Sequence, residues 1–250
     1  MQSCNITIRA LRAEDVPRCM RLVELAGWNQ TAEDWARLLR LARVWGLFAD
    51  GELATTTSAY VHPDGVAWIG MVLTDPRWRG LGFASLLMEE ALRMDARCFR
   101  LDATAMGAPL YRKFGFVDER AIERWERQPA PAEKHNALPS AGWGYEPRLL
   151  AELGKESCAV PGGFAMLRSG RLGWYFGPCL GENLSQCVDW AIGQHLGDLI
   201  FWDLFPDDAE AVRVATSRGF RRVRELVRMR RGPALPAPCN VHAICGFEFG

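Results

Sequence analysis

The sequence predicts an α/β (α+β) protein in which one arrangement of strands and helices occurs twice. The apolar, β-branched run Val66–Thr74 passes through a glycine-containing turn into residues 85–92, whose apolar side chains recur at helical spacing. The order strand, helix, strand, helix, Gly-Phe and strand then recurs after a proline-rich stretch. A length of 250 residues suits one large domain or two small ones.

Two helices are predicted ahead of the first strands. Residues 15–26 place apolar side chains on one helical face, and Gly27 follows as a C′ glycine does. Thr31 and Asp34 have the spacing of a capping box, with aspartate in the usual glutamate position. This spacing predicts that a second helix begins there.

A hairpin is predicted next. Residues 44–48 and 52–60 have the pattern of strands, and Asp50-Gly51 stands between them. This dipeptide favours the left-handed backbone of a tight hairpin turn. The strand at Val66–Thr74 follows, so the glycine-containing turn comes after a third strand.

That turn reads Arg79-Gly80-Leu81-Gly82-Phe83-Ala84. A helix N-terminus presents unpaired N–H groups and the positive end of its dipole, which favour a bound phosphate. Glycine lets the backbone approach a phosphate because it has no Cβ atom. The turn has no lysine for a Walker motif, and Ser85 replaces the last glycine of the dinucleotide motif. What remains is the spacing R-x-x-G-x-A, which a strand-to-helix turn without a ligand could also show.

A second motif, Pro109-Leu110-Tyr111-Arg112-Lys113-Phe114-Gly115-Phe116, lies downstream. Over residues 6–127 the two motifs resemble, in the same order, those of the GCN5-related N-acetyltransferase (GNAT) superfamily. The chain is identified as a tandem member with a degenerate C-terminal copy. The resemblance implies two GNAT-like domains, each a mixed, mostly antiparallel, twisted sheet flanked by helices.

The resemblance also implies acetyl-CoA as co-substrate. Backbone groups of the strand before the turn would hold the pantetheine arm, with one N–H facing the thioester oxygen. N–H groups of the turn would hold the pyrophosphate, and Thr104 stands where many members have an asparagine that contacts the coenzyme. The implied coenzyme-binding residues are Val72, Leu73, Thr74, Arg79, Gly80, Leu81, Gly82, Phe83, Ala84, Ser85 and Thr104.

The resemblance makes Tyr111 the catalytic candidate, assisting the thiolate as it leaves; a packing role before Gly115-Phe116 is the alternative. The loop between the first two helices would line the acceptor site with Trp28 and Asn29, although Trp28 could simply pack on the core. Asp102 is the nearest acidic candidate for a general base. Asp203 holds the matching place in the second copy, which favours a structural role for Asp102, and a water chain could serve instead.

The function that the resemblance implies is transfer of an acetyl group to a primary amine of a small molecule, by direct attack. The alternatives are a CoA-binding sensor or interaction module without catalysis, and a related acyl or aminoacyl transferase. Retention of Tyr111 and of the Arg79–Ala84 turn favours the acetyltransferase. The sequence predicts a monomer or homodimer and does not identify the acceptor.

The second copy preserves landmarks of the first. Gly115-Phe116 matches Gly219-Phe220, and an arginine lies eight residues after each phenylalanine, at Arg124 and Arg228. Its helix start carries Glu182, which would repel a pyrophosphate, so the second copy is expected to lack the coenzyme site. The predicted divisions are a first domain at 1–128, a proline-rich linker at 129–140, a second domain at 141–232 and a tail at 233–250.

Composition and charge limit the classes of function that the sequence predicts. Lys plus Arg number 30 and Asp plus Glu number 30, so no charge excess favours nucleic acid or an anionic membrane. No apolar signal segment or membrane-length run is present, which predicts a cytoplasmic protein. The cysteines form no C-x-x-C pair and suit packed thiols. Cys239, His242 and Cys245 lack the fourth ligand and the tighter spacing of a zinc site, and no metal is expected.

Overall fold

The structure, a computed structural model, describes residues 5–129, 152, 156–235 and 240–249. The chain forms two compact units. Unit 1 comprises Met1–Leu101 with Arg231–Pro233 and Phe247–Phe249. Unit 2 comprises the described residues within Asp102–Arg230 and Ala234–Gly246. Each unit contains a mixed, mostly antiparallel sheet with helices packed against it, as the sequence predicts.

The sheet of unit 1 has the strand order β1-β2-β3-β4-β5. Neighbouring strands are antiparallel except β4 and β5, which are parallel. The strands are β1 (Ile6–Ala10), β2 (Arg43–Ala49), β3 (Glu52–Val61), β4 (Val66–Thr74) and β5 (Cys98–Ala103), and the helices are α1 (Val16–Ala26), α2 (Ala32–Leu41) and α3 (Phe83–Ala91).

The predicted helix ends and hairpin of unit 1 are confirmed. Gly27 ends α1 with a φ of 65°. At the start of α2 the Thr31 hydroxyl accepts the Asp34 N–H at 3.2 Å, and the Asp34 carboxylate accepts the Thr31 N–H at 2.8 Å. Asp50 and Gly51 have φ values of 50° and 84°, the left-handed backbone that joins β2 to β3.

The interior of unit 1 lies between its sheet and its helices. Helix α3 contributes Phe83 and Leu87 to a buried cluster with residues of β2 and β3. Helix α2 buries Trp35 and Leu38 completely. Burial of apolar surface on this scale is the main stabilising contribution to a domain of this kind. It holds β4 and α3 in place, and these two elements flank the glycine-containing turn.

The sheet of unit 2 has the order β11-β6-β10-β9-β8-β7, and β12 pairs with β9. Strands β9 and β10 are parallel, and the other recorded pairs are antiparallel. The strands are β6 (Val117–Arg127), β7 (Glu156–Val160), β8 (Gly163–Arg168), β9 (Trp174–Gly181), β10 (Ile200–Leu204), β11 (Arg221–Arg231) and β12 (Val241–Ala243), and the helices are α4 (Ala108–Lys113), α5 (Leu184–Gln194) and α6 (Ala209–Ser217).

The sequence repeat corresponds to a structural repeat. The order β8, β9, α5, β10, α6, β11 reproduces β3, β4, α3, β5, α4, β6. The last strand of the first copy, β6, lies between β10 and β11 of the second copy. The compact units therefore divide the chain at Asp102, inside the first copy. The boundaries at 128 and 140 remain a prediction, since residues 130–140 lie outside the described part of the chain.

The position of β6 creates two reciprocal ion pairs within unit 2. Arg124, from the first copy, donates to Asp203 of the second at 2.8 and 2.7 Å. Arg228, from the second copy, donates to Asp102 of the first at 2.9 and 3.0 Å. Asp102 and Asp203 are buried. The arginine of each copy therefore pairs with the aspartate of the other copy, and Asp102 has the structural role that its counterpart Asp203 indicated.

Burial perturbs Asp102 strongly. Desolvation raises the pKa of this carboxyl, and the Arg228 guanidinium opposes that effect. A buried carboxylate whose two oxygens are both held by one arginine is poorly placed to accept a substrate proton. The general base must therefore be sought elsewhere.

The described residues contain no disulfide, metal cluster or membrane helix. The described cysteines are buried and take part in no disulfide: Cys19, Cys98, Cys158, Cys179, Cys187 and Cys245. No group of three or more His, Cys, Asp or Glu side chains in the described ranges could hold a metal, and Cys239 lies outside those ranges. In the same ranges every helix is too short or too polar to cross a bilayer.

The Arg124–Asp203 pair should be a main determinant of the stability of unit 2. Asp203→Asn leaves a buried guanidinium without its counter-charge, so we expect a loss of about 3 kcal/mol in the free energy of unfolding, measured with urea. Asp207→Asn is the matched control, because Arg120, on the same strand as Arg124, forms a more exposed pair with Asp207 that should contribute about 1 kcal/mol or less. Equal losses in the two variants would contradict the expectation.

Candidate functional site

The site in unit 1 begins where β4 loses one of its neighbours. Paired positions of β4 and β5 run from Val66 opposite Cys98 to Trp68 opposite Arg100. Strand β4 then continues to Thr74 without a recorded partner in β5. Backbone groups on that edge of residues 72–74 can bind an extended ligand as a sheet edge binds a strand.

A β-bulge lies within this free segment. The register with β3 passes from Ser58 opposite Gly70 to Thr56 opposite Leu73, and Met71 has a φ of 51°. A bulge increases local twist and can end strand pairing. The left-handed backbone of a non-glycine residue is strained, and such strain concentrates at functional sites.

Buried hydroxyl groups of β3 hold the bulge. The Thr56 hydroxyl donates to the Met71 carbonyl at 2.8 Å, and the Thr55 hydroxyl donates to the Leu73 carbonyl at 2.7 Å. Both threonines are fully buried. Sequence reasoning missed this role; the signal was a run of hydroxyl residues, Thr55–Ser58, in an otherwise apolar strand.

Asp75 organises the turn after β4. Its carboxylate is buried and accepts the Arg77 N–H at 2.9 Å, the Arg77 guanidinium at 2.8 Å and the Arg21 guanidinium at 2.6 Å. These hydrogen bonds, first of all that of the Arg77 side chain, lower the pKa of Asp75 below its ordinary value. The carboxylate fixes the entry to the loop, while Arg79 lies exposed in the loop.

The loop itself presents free donors. Within the described residues, no hydrogen bond of the N–H groups of residues 80–84 to another part of the chain is found. Gly80 and Gly82 have φ values of 79° and 80°, and a Cβ atom on either would meet nothing within 4 Å. Ser85 differs, because its N–H donates to the Gly82 carbonyl at 2.9 Å.

The start of α3 adds its dipole to these donors. Gly82 is the N-cap and has no side chain, so the N-cap residue provides no side-chain hydrogen bond to the first turn. Leu81 is 57% exposed, an apolar side chain directed to solvent at the same loop. N–H groups at a helix N-terminus of this kind favour a bound anion.

In unit 2, Tyr111 lies on α4 and is buried. Its ring packs edge-on against Phe116, with the ring centroids 6.1 Å apart. Burial raises the pKa of the phenol, so it stays protonated at neutral pH. The Thr104 hydroxyl accepts the Gly107 N–H at 3.1 Å and so helps to begin α4. The Thr104 hydroxyl can still donate its own O–H to a ligand.

The predicted acceptor loop lies between α1 and α2. Trp28 is half-buried, whereas Asn29 and Gln30 are buried. The Gln30 amide donates to the Glu248 carboxylate at 3.3 Å. Sequence reasoning did not identify Glu248 because it lies far from this loop in the chain, in the predicted C-terminal tail.

Unit 2 contains the counterpart of the β4 edge, but the chain itself covers it. The pairing of β9 with β10 ends at Phe176, and the register with β8 then shifts by a bulge, as in β4. Strand β12 pairs with β9 at Leu180 and Cys179, the positions that correspond to Thr74 and Leu73. The Ile244 N–H also donates to the Asp203 carbonyl of β10 at 3.3 Å.

The helix start in unit 2 also differs from that in unit 1. Asn183, with a φ of 58°, is the N-cap of α5 and corresponds to Gly82. Glu182 precedes it and donates its N–H to the Gly162 carbonyl. The second copy thus has a filled strand edge and an acidic helix start, which supports the expectation that it lacks a coenzyme site.

Comparisons with known proteins agree with this fold. Residues 40–118 match the acetyltransferase (GNAT) domain family, and no curated protein is significantly similar in sequence. A proposed acetyltransferase from Pyrococcus horikoshii has a TM-score of 0.80 at 17% identity, covering 98% of this chain and 96% of its own. The GCN5-related N-acetyltransferase from Sphaerobacter thermophilus has a TM-score of 0.61 at 15% identity, covering 92% and 98%.

A tandem GNAT protein from the clavulanic acid biosynthesis pathway is also similar. Its TM-score is 0.60 at 12% identity, and the match covers 92% of this chain and 100% of that one. Sequence identities this low support a shared fold but do not show a shared activity or substrate. The predicted fold, two GNAT-like copies in tandem, is confirmed.

Asp75 makes the stability of the loop entry dependent on pH. Its pKa is lowered on folding, so its contribution is complete above the unfolded value of about 3.9 and is lost as pH falls through the folded value. We expect Asp75→Asn to lower the free energy of unfolding at pH 7 by about 2 kcal/mol. This difference should shrink as the pH falls below about 4, because protonated aspartate resembles asparagine.

The measurement is urea unfolding of wild type and variant at pH 7, 5 and 3. Glu89→Gln, on the exposed side of α3, is the control and should change the stability at pH 7 by less than about 0.5 kcal/mol. A deficit in Asp75→Asn that stays constant down to pH 3 would show that the carboxylate charge is not what stabilises the turn.

Proposed function

We propose, from the premise that this chain carries a GNAT acetyltransferase domain at residues 40–118, that it transfers the acetyl group of acetyl-CoA to a primary amine of a small molecule. The domain family supports acyl transfer in general. The observation that supports acetyl-CoA as the donor is the set of N–H groups at residues 80–84. These groups have no acceptor among the described residues, and they lie between the end of β4 and the start of α3.

The loop fits the diphosphate of coenzyme A. Gly80 and Gly82 have open space where a side chain would be, so a phosphate can reach the backbone. Arg79 is exposed beside them and would add positive charge. The free edge of β4 at Val72, Leu73 and Thr74 would hold the pantetheine arm. Acetyl-CoA, when bound, supplies the acetyl thioester.

The β4 bulge would help to stabilise the developing oxyanion. A backbone N–H held rigidly at the thioester oxygen lowers the barrier without reorganisation during the reaction. The threonine hydroxyls at Met71 and Leu73 supply that rigidity from the neighbouring strand. Holding both reactants in place contributes several kcal/mol more, roughly 7 or above in favourable cases.

Tyr111 would stabilise the leaving thiolate by a hydrogen bond. Burial raises the pKa of the phenol, so the hydroxyl keeps its proton and remains a donor. The same shift makes the phenol a weaker acid, so donation of a hydrogen bond is favoured over full proton transfer. Thr104 would contact the coenzyme with the hydroxyl hydrogen that its own bond to Gly107 leaves available.

The proposal is tested by thiol release from acetyl-CoA with a panel of amines, amino acids and polyamines. Wild type should turn over at least one of them. Gly82→Ala places a Cβ atom on the cradle at a φ of 80° and should weaken acetyl-CoA binding at least tenfold by calorimetry. Gly51→Ala, with a φ of 84° and equally open space, carries the same backbone strain in a hairpin turn and should bind normally.

The outcomes separate the functional classes. Saturable binding of acetyl-CoA with no turnover of any acceptor would favour a sensor. Equal weakening in both alanine variants would show that strain, and not the loop, controls binding. No binding by well-folded wild type would end the proposal.

Tyr111→Phe tests the leaving-group role. Loss of one hydrogen bond to a developing charge should lower kcat by about 100-fold, while the dissociation constant of acetyl-CoA stays within about twofold. Steady-state kinetics and calorimetry measure the two quantities. An unchanged kcat would leave Tyr111 with the packing role that its contact with Phe116 already provides.

A further inference from the structure

The C-terminal segment Phe247–Phe249 packs onto the sheet of unit 1. Trp68 donates its indole N–H to the Phe247 carbonyl at 3.0 Å. The His62 ring lies 3.0 Å from the Phe249 carbonyl, and the Phe249 ring packs edge-on against Tyr60 at 5.6 Å between centroids. The residues on both sides of Glu248 are therefore anchored, which fixes its backbone against the sheet.

Gly70 of β4 makes room for Glu248. A Cβ atom at position 70 would lie 2.8 Å from the Glu248 Cα atom and 3.4 Å from its Cβ atom. Any side chain at position 70 would displace the segment. Glu248 is only 1% exposed, so its carboxylate is brought into the interior immediately before the β4 bulge.

Other polar groups converge on the same place. The Gln30 amide donates to the Glu248 carboxylate at 3.3 Å. Ser58 lies directly opposite Gly70 in the β3–β4 pair, so it belongs to the same face of the sheet. Its hydroxyl is buried and has no hydrogen-bond partner among the described residues. Buried polar groups normally have partners, so the unpartnered Ser58 hydroxyl is a position that a polar ligand could satisfy.

The cluster is close to the proposed reaction centre. Gly70 and Val72 are separated on β4 only by Met71, the residue at the bulge. An amine at the thioester would then lie near the carboxylate, in contact with it directly or through one water. A primary amine with a pKa of about 10 is protonated at pH 7 and must lose a proton before it attacks.

We propose that Glu248 is the carboxylate that binds the acceptor's ammonium group and takes its proton, with Gln30 and Ser58 completing the amine site. This inference rests on the proposed function. In the step, one ammonium N–H bond breaks and one carboxyl O–H bond forms, and the nitrogen keeps its electron pair for the thioester carbonyl. The second amine proton goes to the departing sulfur, and Glu248 returns its proton to solvent.

The test is Glu248→Gln, which keeps the shape and hydrogen-bonding capacity of the side chain and removes its charge. We expect kcat/KM for the best amine of the panel to fall at least 100-fold at pH 7. The deficit should shrink as the pH approaches 10, because the fraction of free amine then rises without a base. Acetyl-CoA affinity by calorimetry should be unchanged.

Two control variants separate the effect of the Glu248 carboxylate on activity from the effect of perturbing the segment that holds it. Phe249→Leu perturbs the packing of the segment, and His62→Gln removes a titratable side chain that contacts the segment; both should retain the wild-type pH profile. Should Glu248→Gln fail to fold, as judged by its melting temperature, Ser58→Ala replaces it. That variant should raise KM for the amine with little change in kcat, since it removes only a binding contact.

The outcomes separate the two proposals. A Glu248→Gln enzyme with the wild-type profile, or with a deficit that is constant from pH 7 to 10, overturns the role of Glu248 and leaves the acetyltransferase intact. If Ser58→Ala stands in for it, an unchanged KM overturns the amine site. Wild type that binds acetyl-CoA and acetylates no amine overturns the proposed function itself, and this inference with it.

Discussion

The incomplete pairing of β4 is the constraint on which the candidate site depends. A strand that paired with both neighbours along its whole length would have no backbone groups for a ligand. Here the partner on one side is lost after Trp68, and a bulge at Met71 redirects the strand. The threonines of β3 satisfy the carbonyls that the bulge exposes, so the irregularity is rigid. The same strand then leads into the loop at residues 80–84, whose N–H groups have no acceptor in the part of the chain that the structure describes.

The second copy has the same irregular strand, but another strand covers the edge that the irregularity would leave free. Strand β9 also loses its parallel partner and also has a bulge, but β12 occupies the edge that this creates. An unpaired edge inside a protein is costly unless it has a partner. The C-terminal segment provides that partner in unit 2, and its last described residues pack on the sheet of unit 1. One short segment thus completes each unit separately.

The buried carboxylates of the two units have three different arrangements of hydrogen-bond partners. In unit 2 the buried carboxylates Asp102 and Asp203 each accept two hydrogen bonds from one arginine, and such pairs fix strand positions. At the loop entry Asp75 is bound by two arginines and holds a turn. Glu248 accepts a hydrogen bond from the Gln30 amide, and the buried Ser58 hydroxyl of β3, opposite Gly70, has no hydrogen-bond partner among the described residues. The first two arrangements hold strands and a turn in place, and we assign a ligand to the third because of the unpartnered Ser58 hydroxyl.

The sequence alone determined the features that depend on near neighbours in the chain. Gly27 ends its helix, Thr31 and Asp34 form their capping box, Asp50-Gly51 makes the hairpin turn, and the glycine loop precedes α3, because each follows from local backbone preference and hydrogen bonding. The tandem repeat could also be recognised in the sequence, because the matched residues have the same spacing in both copies.

Only the tertiary structure decided which distant residues meet. The spacing of Arg124 and Arg228 did not reveal that each pairs with the aspartate of the other copy, because that depends on β6 lying between β10 and β11. Nothing near Glu248 in the chain indicated Gly70 or Gln30 as neighbours. Contacts between remote segments arise from strand order and from the space that one missing side chain leaves, and neither is encoded in a local pattern.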